Sequence, residues 1–166
     1  MVLWYTDNMD AFSRISLFFL RIAMGSFLLY AGLTKVLDPS WSAAVYLGGT
    51  KTFQSFYQLL LAPNVLPAVN FLNEWGMTLL GLSLILGIFV RLSGIAGALL
   101  MVLYYFPILD FPYPNPPSDI VDEHIIYALA FLVLAASRAG RVWGLENWCV
   151  GLPICSRYPR FRSLLG

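Results

Sequence analysis

The sequence predicts an all-α integral membrane protein: a four-helix bundle with an interfacial amphipathic helix between helices 1 and 2. Three observations carry this. Of 166 residues, 59% are hydrophobic and 11% are charged, where soluble domains carry about 25% charged residues. Four apolar runs, 15–37, 66–90, 92–109 and 120–137, each approach the roughly 20 residues a helix needs to cross hydrocarbon, allowing for tilt and short ends. The period-2 alternation of a membrane barrel is absent. Lipid cannot satisfy exposed backbone groups, so helices are the physical choice. Residues 1–166 read as a single domain, with 138–166 as a tail, and contain no internal repeat or low-complexity tract. A net charge of +1 offers no footprint for nucleic acid.

The first run has Asp7 and Asp10 before it, Arg21 within it and Thr34-Lys35 after it, so a cleaved signal peptide is not expected. Gly25 and Gly32 share one face, with Ala31 beside it, and small residues at that spacing let a neighbouring helix approach closely. Arg21 either snorkels toward the near boundary or pairs with a carbonyl. Between the first two runs, Phe53, Phe56, Tyr57 and Leu60 recur at helical spacing, with Lys51, Gln54, Ser55 and Gln58 around the rest of the wheel. This is an amphipathic helix lying at the interface, broken at Gly48-Gly49 from segment 41–47. It either covers the bundle mouth or roofs a lipid-accessible quinone pocket.

The second run carries Gly76, Gly81 and Gly87, and the third Gly94 and Gly97, again as packing faces. The turn 87–91 is short, which makes helices 2 and 3 antiparallel neighbours. Loop 110–119 holds four prolines and reads as a stiff connector, a lid, or a docking strip for a partner.

Charge sorts the two ends. Arg14, Arg21, Arg91, Arg138, Arg141, Arg157, Arg160 and Arg162 fall on the side of the termini; only Lys35 and Lys51 fall on the other. The positive-inside rule then puts both termini in the cytoplasm, in the plasma membrane of a prokaryote. Cys149 and Cys155 would lie on that side as reduced thiols, with no CxxC pair. The opposite end collects Asp38, Glu74, Asp110, Asp119, Asp122 and Glu123.

Helical rise places Lys35, Glu74, Asp110, Glu123 and His124 in one layer about 21–31 Å from the basic boundary. Tyr30, Trp75 and Tyr127 share nearly the same depth, and Asp122 lies closer to the edge. Buried charges are costly and tend to face one another, so Glu74, His124 and Lys35 are the expected catalytic group. Tyr30, Trp75, Asp110, Asp122, Glu123 and Tyr127 are the expected substrate- or quinone-binding group. The alternative is a rim of interfacial charges solvated by water and headgroups, with no shared pocket. His124 is the only histidine, which excludes a bis-histidine haem within the chain and disfavours a metal centre. A carboxylate-plus-histidine set from Glu74, Asp122, Glu123 and His124 stays open as a minor reading. A histidine beside carboxylates and tyrosines suits proton transfer as a quinone is reduced.

Specific stretches extend this reading: Tyr30-Ala31-Gly32-Leu33-Thr34-Lys35 with Asp38-Pro39-Ser40-Trp41, Glu74-Trp75-Gly76 with Gly81-Leu82 and Leu86-Gly87, then Arg91. Asp122-Glu123-His124-Ile125-Ile126-Tyr127-Ala128-Leu129 and Trp143-Gly144-Leu145 follow. On these the chain resembles the DoxX/DoxD family of four-helix membrane proteins, which includes the large subunit of thiosulfate:quinone oxidoreductase. The resemblance implies oxidation of thiosulfate to tetrathionate at the outer face, with electrons passed to a membrane quinone. It also implies Lys35, Glu74 and His124 as site residues, a structural Arg91, and a small DoxA-like partner subunit. A non-catalytic accessory or scaffold subunit of a larger respiratory or redox complex is the competing class, and a homo-oligomer is compatible with either. A small-solute or proton transporter is the weakest reading, since no broken-helix pair stands out.

Overall fold

The computed structural model describes residues 9–114, 118–146 and 148; Cys149, Cys155 and the rest of the expected tail beyond 148 lie outside them. Asp10 starts the first helix, α1 (Ala11–Val36), by accepting from the Ser13 amide at 3.2 Å. Two short helices follow, α2 (Ala44–Gly48) and α3 (Gln54–Leu60). α3 matches the expected helix and α2 falls in the segment before it, with the break between them at the predicted glycines. Next come α4 (Leu66–Leu86), α5 (Val90–Ile108) and α6 (Glu123–Ala136). Among the described residues there is no strand; Asp110 and Tyr113 form an isolated bridge.

Helices α1, α4 and α5 are long and apolar enough to cross a membrane. The fourth span is shorter than the sequence predicts. α6 has 14 residues, about 21 Å of rise against roughly 30 Å of hydrocarbon. Its late start has a local cause: Asp122 caps it, accepting from the backbone N–H of His124 at 3.0 Å and of Ile125 at 3.2 Å. Ile120 and Val121 therefore stay outside the helix.

The predicted glycine faces find their partners. α1 lies against α4, where a Cβ on Gly32 would sit 2.4 Å from the Thr78 backbone nitrogen and one on Gly81 2.4 Å from that of Leu29. Gly94 and Gly97 of α5 lie against Phe131 of α6 in the same way. Gly76 differs, with nothing within 4 Å of an added Cβ. Gly87 ends α4 in the left-handed region (φ 68°), which favours glycine; α5 then returns antiparallel. The central core is Met24, Leu28, Met77, Leu84, Met101, Phe131 and Leu134. A second cluster of Ala43, Leu47 and Tyr57 seats α2 and α3 over the acidic end, against Val69 and Phe106.

At the basic end the expected tail begins as packed structure. Arg21, 1% exposed, donates to the carbonyls of Ala139 at 2.6 Å, Val142 at 3.0 Å and Trp143 at 3.4 Å. This decides between the two predicted fates of Arg21: it pairs with carbonyls. Leu145 and Glu146 donate their amides to Leu86 and Gly87, which folds the segment after α6 under the bundle.

Candidate functional site: two adjoining cavities at the acidic end

α4 is not uniform. Its middle turn, Leu72–Gly76, winds as a π-helix, an irregularity frequent at functional sites because it re-aims side chains. Asn73 thereby meets α5: the Tyr104 hydroxyl donates to Asn73 Oδ1 at 2.5 Å. Tyr46 of α2 donates to the Tyr104 carbonyl at 2.5 Å, and Tyr57 of α3 to the Leu103 carbonyl at 2.9 Å. The two short helices are thus tied to α5 by phenol hydroxyls. Burial pushes both the Tyr46 and Tyr57 hydroxyls above the ordinary phenol range, so they act as neutral donors.

Beneath these helices is a largely apolar groove of about 580 Å³, whose lining includes Trp41, Tyr46, Tyr57, Leu60, Asn73 and Tyr104. A second cavity of about 330 Å³ lies between α1, α4, α5 and α6, walled by Phe27, Ala31, Met77, Met101, Glu123, His124 and Tyr127. Lys35 and Tyr104 line both. Lys35 donates to the Ala31 carbonyl at 2.9 Å, and its ammonium lies 5.4 Å from the Trp41 ring centroid. Tyr104 stacks on His124, ring centroids 6.4 Å apart and planes 9° from parallel.

The Asp122 carboxylate is 0% exposed and lies 2.7 Å from His124 Nδ1. Neutral His124 then carries its hydrogen on Nδ1, which leaves Nε2 as a proton acceptor. Asp122, Glu123 and His124 bring potential ligand atoms within 4.8 Å of one another. Both Asp122 oxygens, however, already accept from the helix start and the imidazole, so this carboxylate serves as cap and histidine partner.

Of the residues expected together, Lys35, Glu123, His124 and Tyr127 line one cavity, and Asp122 supports it. Glu74 lines neither cavity. It is placed four and seven residues before Thr78 and Gly81, which face α1, whereas Asn73 and Met77 turn toward α5 and α6. Trp75 and Tyr30 are exposed on the bundle surface, at 43% and 75%. Asp110 is ion-paired with Lys51 at 2.6 Å on the exposed rim. Tyr46, Tyr57, Asn73 and Tyr104 were missed by charge-based reasoning; the available signal was their hydroxyl and amide groups inside or beside apolar runs.

Apolar helices of spanning length, closed at one end by an aromatic-lined groove, define an integral membrane bundle with a pocket at its acidic end. A family model, DoxX, matches residues 16–108, more than half of the chain, and the protein belongs to the DoxX family. No curated protein and no solved structure matches it. The family match stops at Ile108, so α6 with His124 lies beyond it.

Proposed function

We propose that this protein is the membrane subunit of a quinone-linked oxidoreductase, with its basic end in the cytoplasm of a prokaryotic cell. The observation that carries this reading is the meeting of the two cavities at Lys35 and Tyr104. The apolar groove has the size and aromatic lining suited to a quinone ring arriving from the bilayer. The adjoining cavity offers His124, held by Asp122, as the group that relays protons. Reduction of the ring takes two electrons and two protons; the protons pass through His124 Nε2 from the water of the acidic end.

The electron donor is a reduced sulfur anion, as the family resemblance suggests. Two thiosulfate ions join through a new S–S bond as tetrathionate and release the two electrons. Lys35 attracts such an anion, while Glu123 in the same cavity opposes it. Lys35 and His124 remain in the proposed site, and Glu74 is assigned to its periphery.

The test is equilibrium binding of a short-chain quinone to the purified chain, followed by thiosulfate-dependent quinone reduction with and without a DoxA-like partner. His124→Asn should abolish turnover with quinone binding kept. Full turnover in His124→Asn would refute the proton-transfer role.

A second reading, an accessory subunit of a larger redox complex, draws on one feature. Asp110 and Tyr113 exchange backbone hydrogen bonds at 3.1 and 2.8 Å, which presents Phe111 and Tyr113, 77% and 60% exposed, on a stiff rim suited to a partner. Copurification with a larger membrane enzyme that is lost in Phe111→Ser supports it; turnover by the isolated chain argues against it.

A further inference from the structure

α5 carries a proline, Pro107, inside its last turn. Proline has no backbone N–H, so the carbonyl four residues earlier, that of Leu103, loses its helical donor. Away from water such a carbonyl is costly to leave unfilled. The Tyr57 hydroxyl of α3 donates to it at 2.9 Å, and Tyr57 is itself buried. A gap in the hydrogen bonding of one helix is thus the docking point of another. Two further donors from the chain just before α3 reach the same end of α5. The Thr52 hydroxyl donates to the Leu109 carbonyl at 2.6 Å, and the Lys51 ammonium donates to Asp110. Leu103 and Tyr57 both line the apolar groove of about 580 Å³, so the bond joins its wall to its roof. The outward face of α3 carries Phe56 and Leu59, both exposed. Lifting α3 therefore opens the groove toward lipid.

We propose that Pro107 and Tyr57 form a positioning pair that holds α3 as the roof of the groove and sets how long a bound ligand stays. The proline leaves the acceptor open, the phenol fills it, and the ligand leaves when that bond breaks. Tyr57 acts through α3 and not on the ligand, since its single hydroxyl hydrogen is committed to Leu103. Tyr46 provides the contrast. It also donates to α5, at the Tyr104 carbonyl, but the residue four positions on is Ile108, which has an amide and lies within the helix. Loss of the Tyr46 hydroxyl leaves that carbonyl a helical donor, whereas loss of the Tyr57 hydroxyl leaves Leu103 without one. An acceptor left unfilled costs more than one hydrogen bond lost from a carbonyl that keeps another donor, so Tyr57 is the dominant tie. The seating of α3 needs no ligand; that the ligand is a quinone rests on the proposed function.

The experiment uses the full chain in detergent micelles. Amide exchange is read over α3, and release of decylubiquinone is timed by recovery of tryptophan fluorescence, since Trp41 lines the groove. Tyr57→Phe keeps the ring and should speed both exchange and release by about ten-fold. In a Pro107→Ala background the alanine amide serves the Leu103 carbonyl, so adding Tyr57→Phe should speed both by no more than about three-fold. Tyr46→Phe should also stay within about three-fold, which keeps the test decisive if Pro107→Ala does not fold. An equal effect of Tyr57→Phe in the two backgrounds would mean that the hydroxyl works independently of the proline and would overturn the pair. A Tyr57→Phe effect no larger than that of Tyr46→Phe would overturn it too. Faster exchange with unchanged release would overturn its control of the ligand. If the native chain binds no decylubiquinone while the exchange differences hold, the quinone function falls and the pair stands.

Discussion

Replacing Arg21 by methionine keeps most of the side-chain volume and removes the charge that organises the basic end. In the native chain its guanidinium donates to three carbonyls of the segment after α6, at 2.6, 3.0 and 3.4 Å. Each hydrogen bond to a charged group contributes about 1.5–3 kcal/mol, offset in part by the cost of burying the guanidinium. Removing one partner from a buried charged network costs about 3–5 kcal/mol, and that is the expected loss for Arg21→Met. Glu146 adds a pH signature. Its carboxylate is buried, neither oxygen has a hydrogen-bond partner among the described residues, and desolvation raises its pKa to about 7 despite the nearby arginines. The folded chain therefore holds this proton more tightly than the unfolded chain does. Stability from this group is full below the unfolded value near 4.5 and falls as pH rises toward about 7, by roughly 3 kcal/mol at most. Denaturant unfolding in detergent micelles, with amide exchange read over residues 139–146, measures both effects. Glu146→Gln should flatten the profile between about pH 5 and 7.5. A loss below about 1 kcal/mol for Arg21→Met, or an unchanged pH profile in Glu146→Gln, would refute the reasoning.

Two alanine substitutions test the helix contacts. Gly81→Ala drives a Cβ to 2.4 Å from the Leu29 backbone and should cost about 1–3 kcal/mol in the same unfolding assay. Gly76→Ala meets nothing within 4 Å and should be neutral or stabilise by about 0.4–1 kcal/mol. Asp122→Ala loses the cap of α6 and should cost about 1–2 kcal/mol along with quinone reduction, while Asp122→Asn, which keeps an accepting oxygen, should recover most of the stability but not the activity. Lys51→Met should change stability by less than about 1 kcal/mol, since its ion pair with Asp110 is exposed.

What could be read from the chain and what could not divide along a physical line. The apolar runs, the amphipathic helix between the first two of them, the break at Gly48-Gly49 and the packing glycines depend on local composition and helical period. The sequence by itself therefore determined a helical membrane bundle with one basic and one acidic end. Helical rise also gave each charge an expected depth. Direction around the helix axis was another matter. Each residue turns about 100°, and the π-turn at Leu72–Gly76 shifts that phase within α4. Glu74 and His124 share an expected depth, yet Asn73 is the residue that turns to Tyr104 while Glu74 lines neither cavity.

Only the tertiary structure decided which hydroxyls meet beneath α2 and α3, how early Asp122 ends the loop and shortens α6, and that Arg21 reaches carbonyls more than a hundred residues away along the chain. Those outcomes depend on how neighbouring helices are rotated and docked. That rotation is set by close packing between surfaces distant in sequence, which no local pattern encodes.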